Sequence, residues 1–423
     1  MRLLVAACAV LSHAATFPIR LDRPAEVVAE LHMRSPGADF AKPGREAAVA
    51  TVSVSSKPAH AVVLFAGENL FPYRVFLGEL PVGEHMVRVE RDASRSAGGA
   101  GLEIASARFF PYRPGDADYR VVAHAPVVYA RPDTLGRFSD VPLVLYCERF
   151  KEAGEEVLQY TILFSNEDGG TPTPALMARW GRTTDIEWVY RVHLTPDGRA
   201  GRAAIQTRDH KEVPFAGVRE GSHPVLYVIT ENNMVGDSGP ETLRYQLAPW
   251  LVDLRDGSRE RVMDQEPLLY RVAAQELQRE GKLRAFGKVE GEKIGDPRNY
   301  LYVEMKLDAR DAAAAVRVRL QGERRWRSSH RGRLDYAIGR SGWVRTAVEL
   351  PPGATPDRIA ELGLECLLAP RRVNGTETWP QQGSCRLEQL GRVFWLDADY
   401  KPQPVTRRFS TELAAGELVT FDW

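Results

Sequence analysis

Two carboxylates placed two positions apart are the clearest chemical feature of this sequence. Asp185 and Glu187 lie in the stretch Gly181-Arg182-Thr183-Thr184-Asp185-Ile186-Glu187-Trp188. The run from Ile186 to Tyr190 is rich in β-branched and aromatic residues, which predicts a strand. Residues i and i+2 of a strand point to the same face of a sheet, so both carboxylates are predicted to project together. Like charges side by side are costly unless positive charge lies between them.

The compensating charge has two possible sources. A divalent cation between the two carboxylates is one hypothesis, since carboxylate oxygens are its preferred ligands. A salt-bridged face is the other, with Arg179, Arg182 or Arg191 as partner. The local spacing leaves both open.

A second polar group follows some forty residues later in the chain. His223 precedes the apolar run from Pro224 to Thr230, and the polar loop after that run contains Asn232, Asn233 and Asp237. These residues would suit a hydrolase pocket. A turn whose Asn and Asp side chains cap the backbone is the alternative.

The elements that position these residues begin after a predicted signal peptide. Met1 and Arg2 provide a short positive segment, and residues 3–11 are apolar. Small residues then predict cleavage after Ala14, so we expect an exported protein. Cys8 would leave with the signal peptide. No later run approaches the ~18 apolar residues of a membrane span.

Composition narrows the class of protein. The 423 residues include 56 Lys and Arg and 56 Asp and Glu, so no basic surplus favours nucleic acid as a partner. Cys366 and Cys385 flank a polar loop, and in an oxidising compartment we predict a disulfide between them. Cys147 lies in an apolar run and is predicted to be a buried thiol.

Short β-rich runs separated by turn residues predict an all-β fold of tandem sandwich domains. Residues 15–118 predict an immunoglobulin-like sandwich and residues 119–265 a central sandwich. A connector helix is predicted over 266–282, with Pro267 in its first turn and Gly281 after its end. Residues 283–423 predict a jelly-roll-like sandwich of the kind found in carbohydrate-binding modules. Its tryptophans, Trp326, Trp343, Trp379 and Trp395, would stack on sugars or pack in the core.

The central domain resembles the necrosis-inducing (Nep-like) protein family and the related vacuolar protein sorting-associated domain family. The Nep-like hallmark reads Gly-His-Arg-His-Asp-Trp-Glu, and residues 181–187 read Gly-Arg-Thr-Thr-Asp-Ile-Glu. Three segments of the central domain resemble parts of the vacuolar-sorting-type domain, in the expected order. These are residues 125–129 followed by 139–141 at its opening, 158–169 for its aromatic strand and loop, and 222–228 for its His-Pro-Val strand.

The resemblance implies a β-sandwich that uses a divalent cation to bind the sugar of a sphingolipid headgroup. By position, Asp185 and Glu187 match the acidic ligands, and Asp168 in the preceding loop is the implied third. The two histidines of the hallmark are replaced by Arg182 and Thr184. An oxygen-only ligand set would suit Ca²⁺ or Mg²⁺. The alternative is that Arg182 replaces the cation.

We therefore expect an exported binding protein that recognises a glycan, a lipid headgroup or an envelope surface. A secreted hydrolase acting on carbohydrate or peptide is the first alternative, and a structural envelope protein is the second. Binding is favoured over catalysis. The oligomeric state cannot be read from the sequence.

Overall fold

A computed structural model describes residues 14–55, 57–134, 136–288, 290–373, 376–406, 411–414 and 418–421. Most of the predicted signal peptide, Cys8 included, lies outside these ranges. The described chain consists mainly of strands, which confirms the predicted all-β class. Within these ranges, no helix combines the length and the apolar character needed to cross a bilayer.

The chain divides into two compact units, each of which is discontinuous in sequence. Unit 1 contains Met1–Gly170 and Thr184–Asp253, and unit 2 contains Thr171–Thr183 and Leu254–Trp423. Residues 171–183 therefore belong to unit 2 although unit 1 precedes and follows them in the chain. The domain boundaries drawn from the sequence stay predictions.

Seven strands of the described N-terminal part form two antiparallel sheets. The strands are β1 (Ala14–Leu21), β2 (Ala25–Arg34), β3 (Val49–Val54), β4 (His60–Val63), β5 (Phe71–Leu80), β6 (Gly83–Arg91) and β7 (Glu103–Tyr112). Their orders are β1-β6-β3-β4 and β5-β2-β7. Phe17 of the first sheet meets Phe109 of the second with ring centroids 6.2 Å apart, so apolar side chains join the two layers.

The rest of unit 1 begins with helix α1 (Tyr119–Ala123) and continues in two further sheets. The strands are β8 (Val127–Tyr129), β9 (Pro142–Glu152), β10 (Glu155–Phe164), β11 (Ile186–Leu194), β12 (Ala200–Thr207), β13 (Lys211–Pro214), β14 (Arg219–Glu220), β15 (His223–Val228), β16 (Val235–Gly236), β17 (Arg244–Tyr245) and β18 (Trp250–Val252). One sheet has the order β13-β12-β11-β10-β9-β18, and the other has the order β14-β15-β8-β17 with β16 beside β15. Val28 and Phe76 of the N-terminal strands share the buried core of these sheets, which makes unit 1 a single packed body.

Unit 2 is a β-sandwich, and its described residues include three α-helices. The helices are α2 (Thr173–Trp180), α3 (Arg261–Gln265) and α4 (Leu268–Arg279). The strands are β19 (Tyr300–Arg310), β20 (Ala312–Leu320), β21 (Trp326–Ser328), β22 (Gly342–Glu349), β23 (Ile359–Leu368), β24 (Arg371–Val373), β25 (Thr376–Thr378), β26 (Ser384–Leu396), β27 (Pro402–Thr406), β28 (Thr411–Ala414) and β29 (Leu418–Phe421). The β19 sheet has the order β22-β19-β26-β27 with β28 beside β26, and the β20 sheet has the order β21-β20-β23-β29.

A disulfide joins the β19 and β20 sheets of unit 2, whereas β24 and β25 pair in a separate two-stranded sheet. Cys366 of β23 and Cys385 of β26 are bonded, with their Cα atoms 5.7 Å apart, and both are fully buried in the core. The predicted disulfide is therefore confirmed. Cys147 is a buried free thiol, and burial raises its pKa well above its ordinary value.

Helices α3 and α4 cover the outer face of the β19 sheet, and α2 contacts the edge strand β22. Thr346 of β22 donates a hydrogen bond of 2.5 Å to the carbonyl of Ala178 in α2. Arg345 of β22 is completely buried and donates to Asp264 of α3 at 2.6 Å and to the Tyr270 hydroxyl of α4 at 2.9 Å. Burial alone would lower the pKa of Arg345, but the nearby acidic groups raise it well above its usual value, so this guanidinium is charged.

Candidate functional site

The two acidic residues of the motif lie at the start of β11, in the interior of unit 1. Glu187 pairs with Ile162 of β10, and the carbonyl of Asp185 accepts a hydrogen bond of 2.9 Å from the backbone N–H of Phe164. Only 1% of Asp185 and 6% of Glu187 is exposed. Buried carboxylates need donors or positive charge nearby, so their partners define the local chemistry.

Glu187 is held by an amide that also contacts a histidine. The Nε2 of Gln206 donates to Glu187 at 2.6 Å and lies 3.0 Å from Nδ1 of His210. The sulfur of Met234 is 3.4 Å from the same nitrogen, and His210 Nδ1 is itself 3.8 Å from Glu187, so Gln206 lies at the centre of this group. Asp209 and His210 have φ angles of 60° and 55°, a left-handed backbone that costs a non-glycine residue about 1 kcal/mol or more.

Asp185 contacts a different polar loop. The Nδ2 of Asn233 donates to Asp185 at 3.1 Å, and Asn233 is fully buried with a left-handed φ of 56°. Thr230 supports the same loop, since its Oγ1 contacts both Asn232 Oδ1 at 2.8 Å and the N–H of Met234 at 2.9 Å. The loop from Thr230 to Met234 is therefore fixed by its own side chains.

Asp168 lies among arginines. Its carboxylate accepts hydrogen bonds from Arg131 at 3.2 Å, from Arg137 at 3.4 Å and from the hydroxyl of Ser139 at 2.8 Å. Arg131 also donates to the buried Asp140 at 2.6 Å. Asp133 also lies 3.6 Å from Arg131, so two guanidinium groups face three carboxylates at this point.

The predicted ligands do not form a ready-made metal cage. Across the described ranges, no group of three or more His, Cys, Asp or Glu side chains is arranged to hold a metal ion. Asp168, Asp185 and Glu187 each have protein N–H or O–H donors instead. The ion stays a prediction of the sequence.

Arg182 and Thr184 belong to different units. Arg182 belongs to unit 2, where its Nε is 3.3 Å from Oε1 of Glu260 and both side chains are buried. Burial would raise the pKa of Glu260, but Arg182, Arg259 and other guanidinium groups hold it below its ordinary value. Thr184 belongs to unit 1 and is fully buried. Arg182 therefore has a carboxylate partner that the sequence did not predict.

Two glycines let the loop after β10 pack closely on the loop after β15. The N–H of Gly169 donates to the carbonyl of Glu231 at 3.1 Å. A Cβ atom at Gly169 would lie 2.6 Å from Cβ of Glu231. At Gly170, where φ is +95°, it would lie 2.7 Å from Oε1 of Glu167 and 3.1 Å from Cβ of Asn232. Any side chain here would push the two loops apart.

An open cleft of about 670 Å³ borders these loops. Its polar lining residues carry guanidinium, carboxylate, hydroxyl and amide groups, namely Arg131, Asp133, Arg208, Thr230, Glu231 and Asn232. Arg208 is exposed and donates to the carbonyl of Ile229 at 3.2 Å. The cleft, which we call the polar cleft, therefore offers both donors and acceptors on a largely fixed frame.

His223 is part of the interior. Its Nδ1 lies 2.8 Å from the carbonyl of Ala125, its Nε2 lies 3.2 Å from Glu26, and its ring stacks on Phe76 at 4.5 Å. Both ring nitrogens face acceptors, so the ring links β15 to β2. Asp237 is half-buried and packs against Gly217. Of the four residues predicted from this region, only Asn232 is among the described residues that line the polar cleft.

Several residues of the site were not predicted. Arg131, Gln206, Arg208 and His210 come from turns and a strand far from the acidic motif. The polar run Arg208-Asp209-His210-Lys211 between two β-rich segments is a turn signal, but it does not reveal that the turn reaches Glu187.

Comparison with known proteins adds little. No family model matches the chain, and no curated protein matches it. Among solved structures, "NLPPya in complex with mannosamine" is 12% identical with a TM-score of 0.24, over 33% of this chain and 74% of that one. A ruminal GH26 endo-beta-1,4-mannanase is 10% identical with a TM-score of 0.19, over 35% and 29%. Likenesses this low carry no argument about function.

Proposed function

We propose that this is an exported binding protein whose polar cleft in unit 1 recognises a glycan or the sugar of a lipid headgroup. The mixed polar lining of the cleft carries the proposal. A sugar hydroxyl both donates and accepts hydrogen bonds, so it fits a surface where Arg208 stands near Glu231 and Asn232. The cleft volume of about 670 Å³ is within the range of small-molecule sites.

The frame of the cleft supports binding because its groups are held before a ligand arrives. Arg131 is fixed by Asp140 and Asp168, and Asn232 is fixed by Thr230. Side chains that are already ordered lose less conformational entropy on binding. The disulfide of unit 2 agrees with export, since disulfides persist in oxidising compartments.

A glycan array and vesicle binding test this proposal. The probes are printed neutral and acidic glycans, and phosphatidylcholine vesicles with and without a glycosylated sphingolipid. We expect the wild-type chain to bind one of these classes, and Arg208→Ala and Asn232→Ala to weaken binding at least tenfold.

Arg202→Ala is the matched control, because Arg202 is an exposed arginine of β12 that pairs with Glu155 rather than lining the polar cleft. It should bind like the wild type. Binding to no glycan and no glycolipid would contradict the proposal, as would equal binding by the Arg208 and Arg202 variants.

The predicted ion has a separate test. Thermal unfolding is measured in EDTA, Ca²⁺ and Mg²⁺ for the wild type, Asp185→Ala and Glu187→Ala. A bound ion would raise the midpoint of the wild type alone, because a ligand of the folded state stabilises it. If no ion changes the unfolding midpoint, the proposed ligand binds in the polar cleft without a metal ion.

The position of His223 does not favour the hydrolase alternative. Both ring nitrogens of His223 are engaged inside unit 1, where the ring is buried between β2 and β15.

A further inference from the structure

The polar cleft contains two opposite charges that do not pair with each other. Its charged lining residues are Arg131, Asp133, Arg208 and Glu231. Arg131 is engaged by Asp133 at 3.6 Å and by two further carboxylates, so its charge is satisfied within unit 1. Arg208 and Glu231 are both exposed, and no described side chain of opposite charge forms an ion pair with either of them. A ligand in the cleft therefore meets one positive and one negative group that are still available.

Both of these charges stand on a backbone that is already fixed. Nη2 of Arg208 donates to the carbonyl of Ile229 at 3.2 Å, which places the guanidinium beside the loop after β15. Its Nε and Nη1 make no hydrogen bond to a described residue, so they can donate to a ligand. Glu231 lies in the same loop, where its carbonyl accepts from the N–H of Gly169 at 3.1 Å. Its Oε2 would be 2.8 Å from a Cβ atom at Gly169, so the carboxylate packs on that glycine.

The two charges together indicate a ligand that carries both signs. The parallel N–H groups of a guanidinium suit a phosphate or a carboxylate. The carboxylate of Glu231 only accepts hydrogen bonds, so it suits an ammonium group. A purely anionic ligand would bring its charge toward Glu231 and Asp133, and a purely cationic one toward Arg208, and both arrangements are costly. A zwitterion satisfies both ends of the cleft.

The lining also indicates which kind of ammonium group fits. None of the described residues that line the polar cleft is aromatic. Its apolar side chains are those of Pro132, Val228, Ile229 and Pro240. Quaternary ammonium groups such as choline are recognised by cages of aromatic rings. A primary ammonium instead has three N–H donors for carboxylate, hydroxyl and amide oxygens, and Glu231, Thr230 and Asn232 provide these.

We propose that the polar cleft binds a phosphoethanolamine group, carried by the bound glycan or by a lipid headgroup. The phosphate bonds to Arg208, and the primary ammonium bonds to Glu231. This inference rests on the proposed function and narrows it, because a neutral, unsubstituted sugar would leave both charges without a partner.

Vesicle flotation of the full-length mature protein tests the inference. Phosphatidylcholine vesicles are mixed with phosphatidylethanolamine, with phosphatidylglycerol, which has the phosphate without the amine, or with stearylamine, which has the amine without the phosphate. A glycan array that carries one glycan with and without a phosphoethanolamine substituent separates a glycan source from a lipid source. We expect the wild type to bind phosphatidylethanolamine or the substituted glycan about tenfold more tightly than the probes that lack either charge, because a charge-assisted hydrogen bond is lost with each.

Arg208→Gln and Glu231→Gln should each weaken this binding about tenfold, since each variant leaves one end of the zwitterion without its counter-charge. The matched controls are Arg202→Gln in β12 and Glu84→Gln in β6, which change exposed residues outside the polar cleft and should bind like the wild type.

Two results would overturn the inference and leave the proposed function in place. One is equal binding of the substituted and the unsubstituted glycan, and the other is binding that the Arg208 and Glu231 variants retain in full. Equal binding of vesicles with phosphatidylethanolamine and with phosphatidylglycerol would also overturn it. Binding to no glycan and to no vesicle would remove the proposed function together with this inference.

Discussion

At the scale of the single residue, Gly170 lines the polar cleft and packs closely against Asn232. We predict that Gly170→Ala destabilises the protein by about 1–2 kcal/mol, because the added Cβ meets two neighbours and the left-handed backbone disfavours a side chain. The variant should also bind the cleft ligand less tightly. Urea unfolding and the glycan array measure the two effects.

Gly154→Ala separates the backbone effect from the contact effect. Gly154 has a similar φ of +88°, but no atom lies within 4 Å of the position its Cβ would take. It should cost about 1 kcal/mol and leave ligand binding unchanged. If the two variants behaved alike in both measurements, the close packing of the loops would not matter.

His60 in β4 is expected to make the stability of unit 1 depend on pH. It is 3% exposed, and its Nε2 has no hydrogen-bond partner among the described residues. Burial, reinforced by Arg244, lowers its pKa to about 3. In the unfolded chain this histidine binds a proton near pH 6.5, whereas in the folded chain it does not until the pH nears 3. The free energy of unfolding is therefore highest above pH 6.5 and falls as the pH is lowered toward 3.

We predict that His60→Leu flattens the dependence of the unfolding free energy on pH between 6.5 and 4.5. The slopes of unfolding free energy against pH should differ between wild type and variant by about one proton, or roughly 1.4 kcal/mol per pH unit. Urea titrations at several pH values measure it, and an unchanged m-value confirms that the same transition is followed. Parallel curves for the wild type and the variant would contradict the prediction.

At the scale of the element, the disulfide between β23 and β26 fixes the β19 and β20 sheets of unit 2 to each other. We predict that the double variant Cys366→Ala/Cys385→Ala loses about 3 kcal/mol of stability, since the bond closes a loop with a sequence separation of 19. Urea unfolding with and without dithiothreitol measures the loss. The double variant should not respond to the reductant, and a wild type unaffected by full reduction would refute the prediction.

Elements with a strong local pattern could be predicted, and those that depend on distant partners could not. The acidic motif predicted a strand from Ile186, and β11 begins at that residue. The connector prediction over 266–282 contains α4, whose apolar residues recur with helical spacing. Helix α2 was missed because Thr173 to Trp180 is short. Pro172 before it and Gly181 after it, with φ of +58°, were its visible signals.

The candidate site could be predicted only in part for the same reason. Of the residues predicted from the sequence, Asn232 lines the polar cleft, and Asp168 pairs with Arg131, which also lines it. It could not reveal that Gln206 donates to Glu187 or that Asn233 donates to Asp185. These contacts depend on which loops meet in three dimensions, and no local pattern records that.

At the scale of the whole molecule, unit 2 should be unstable without its N-terminal segment. We predict that a fragment of residues 254–423 unfolds at a lower temperature than unit 2 in the full chain, because the β19 sheet loses the buried residues of α2. A synthetic peptide of residues 171–183 should restore stability in proportion to its concentration. A scrambled peptide is the control, and equal midpoints with the two peptides would contradict the prediction.

The discontinuity of unit 2 also has a consequence during synthesis. The ribosome completes residues 171–183 about seventy residues before Leu254 is made. Until the later strands emerge, the nascent chain carries Ala175, Leu176 and Met177 without the sandwich that buries them. Export in an unfolded state would avoid this exposed interval, because both segments would then reach the folding compartment together.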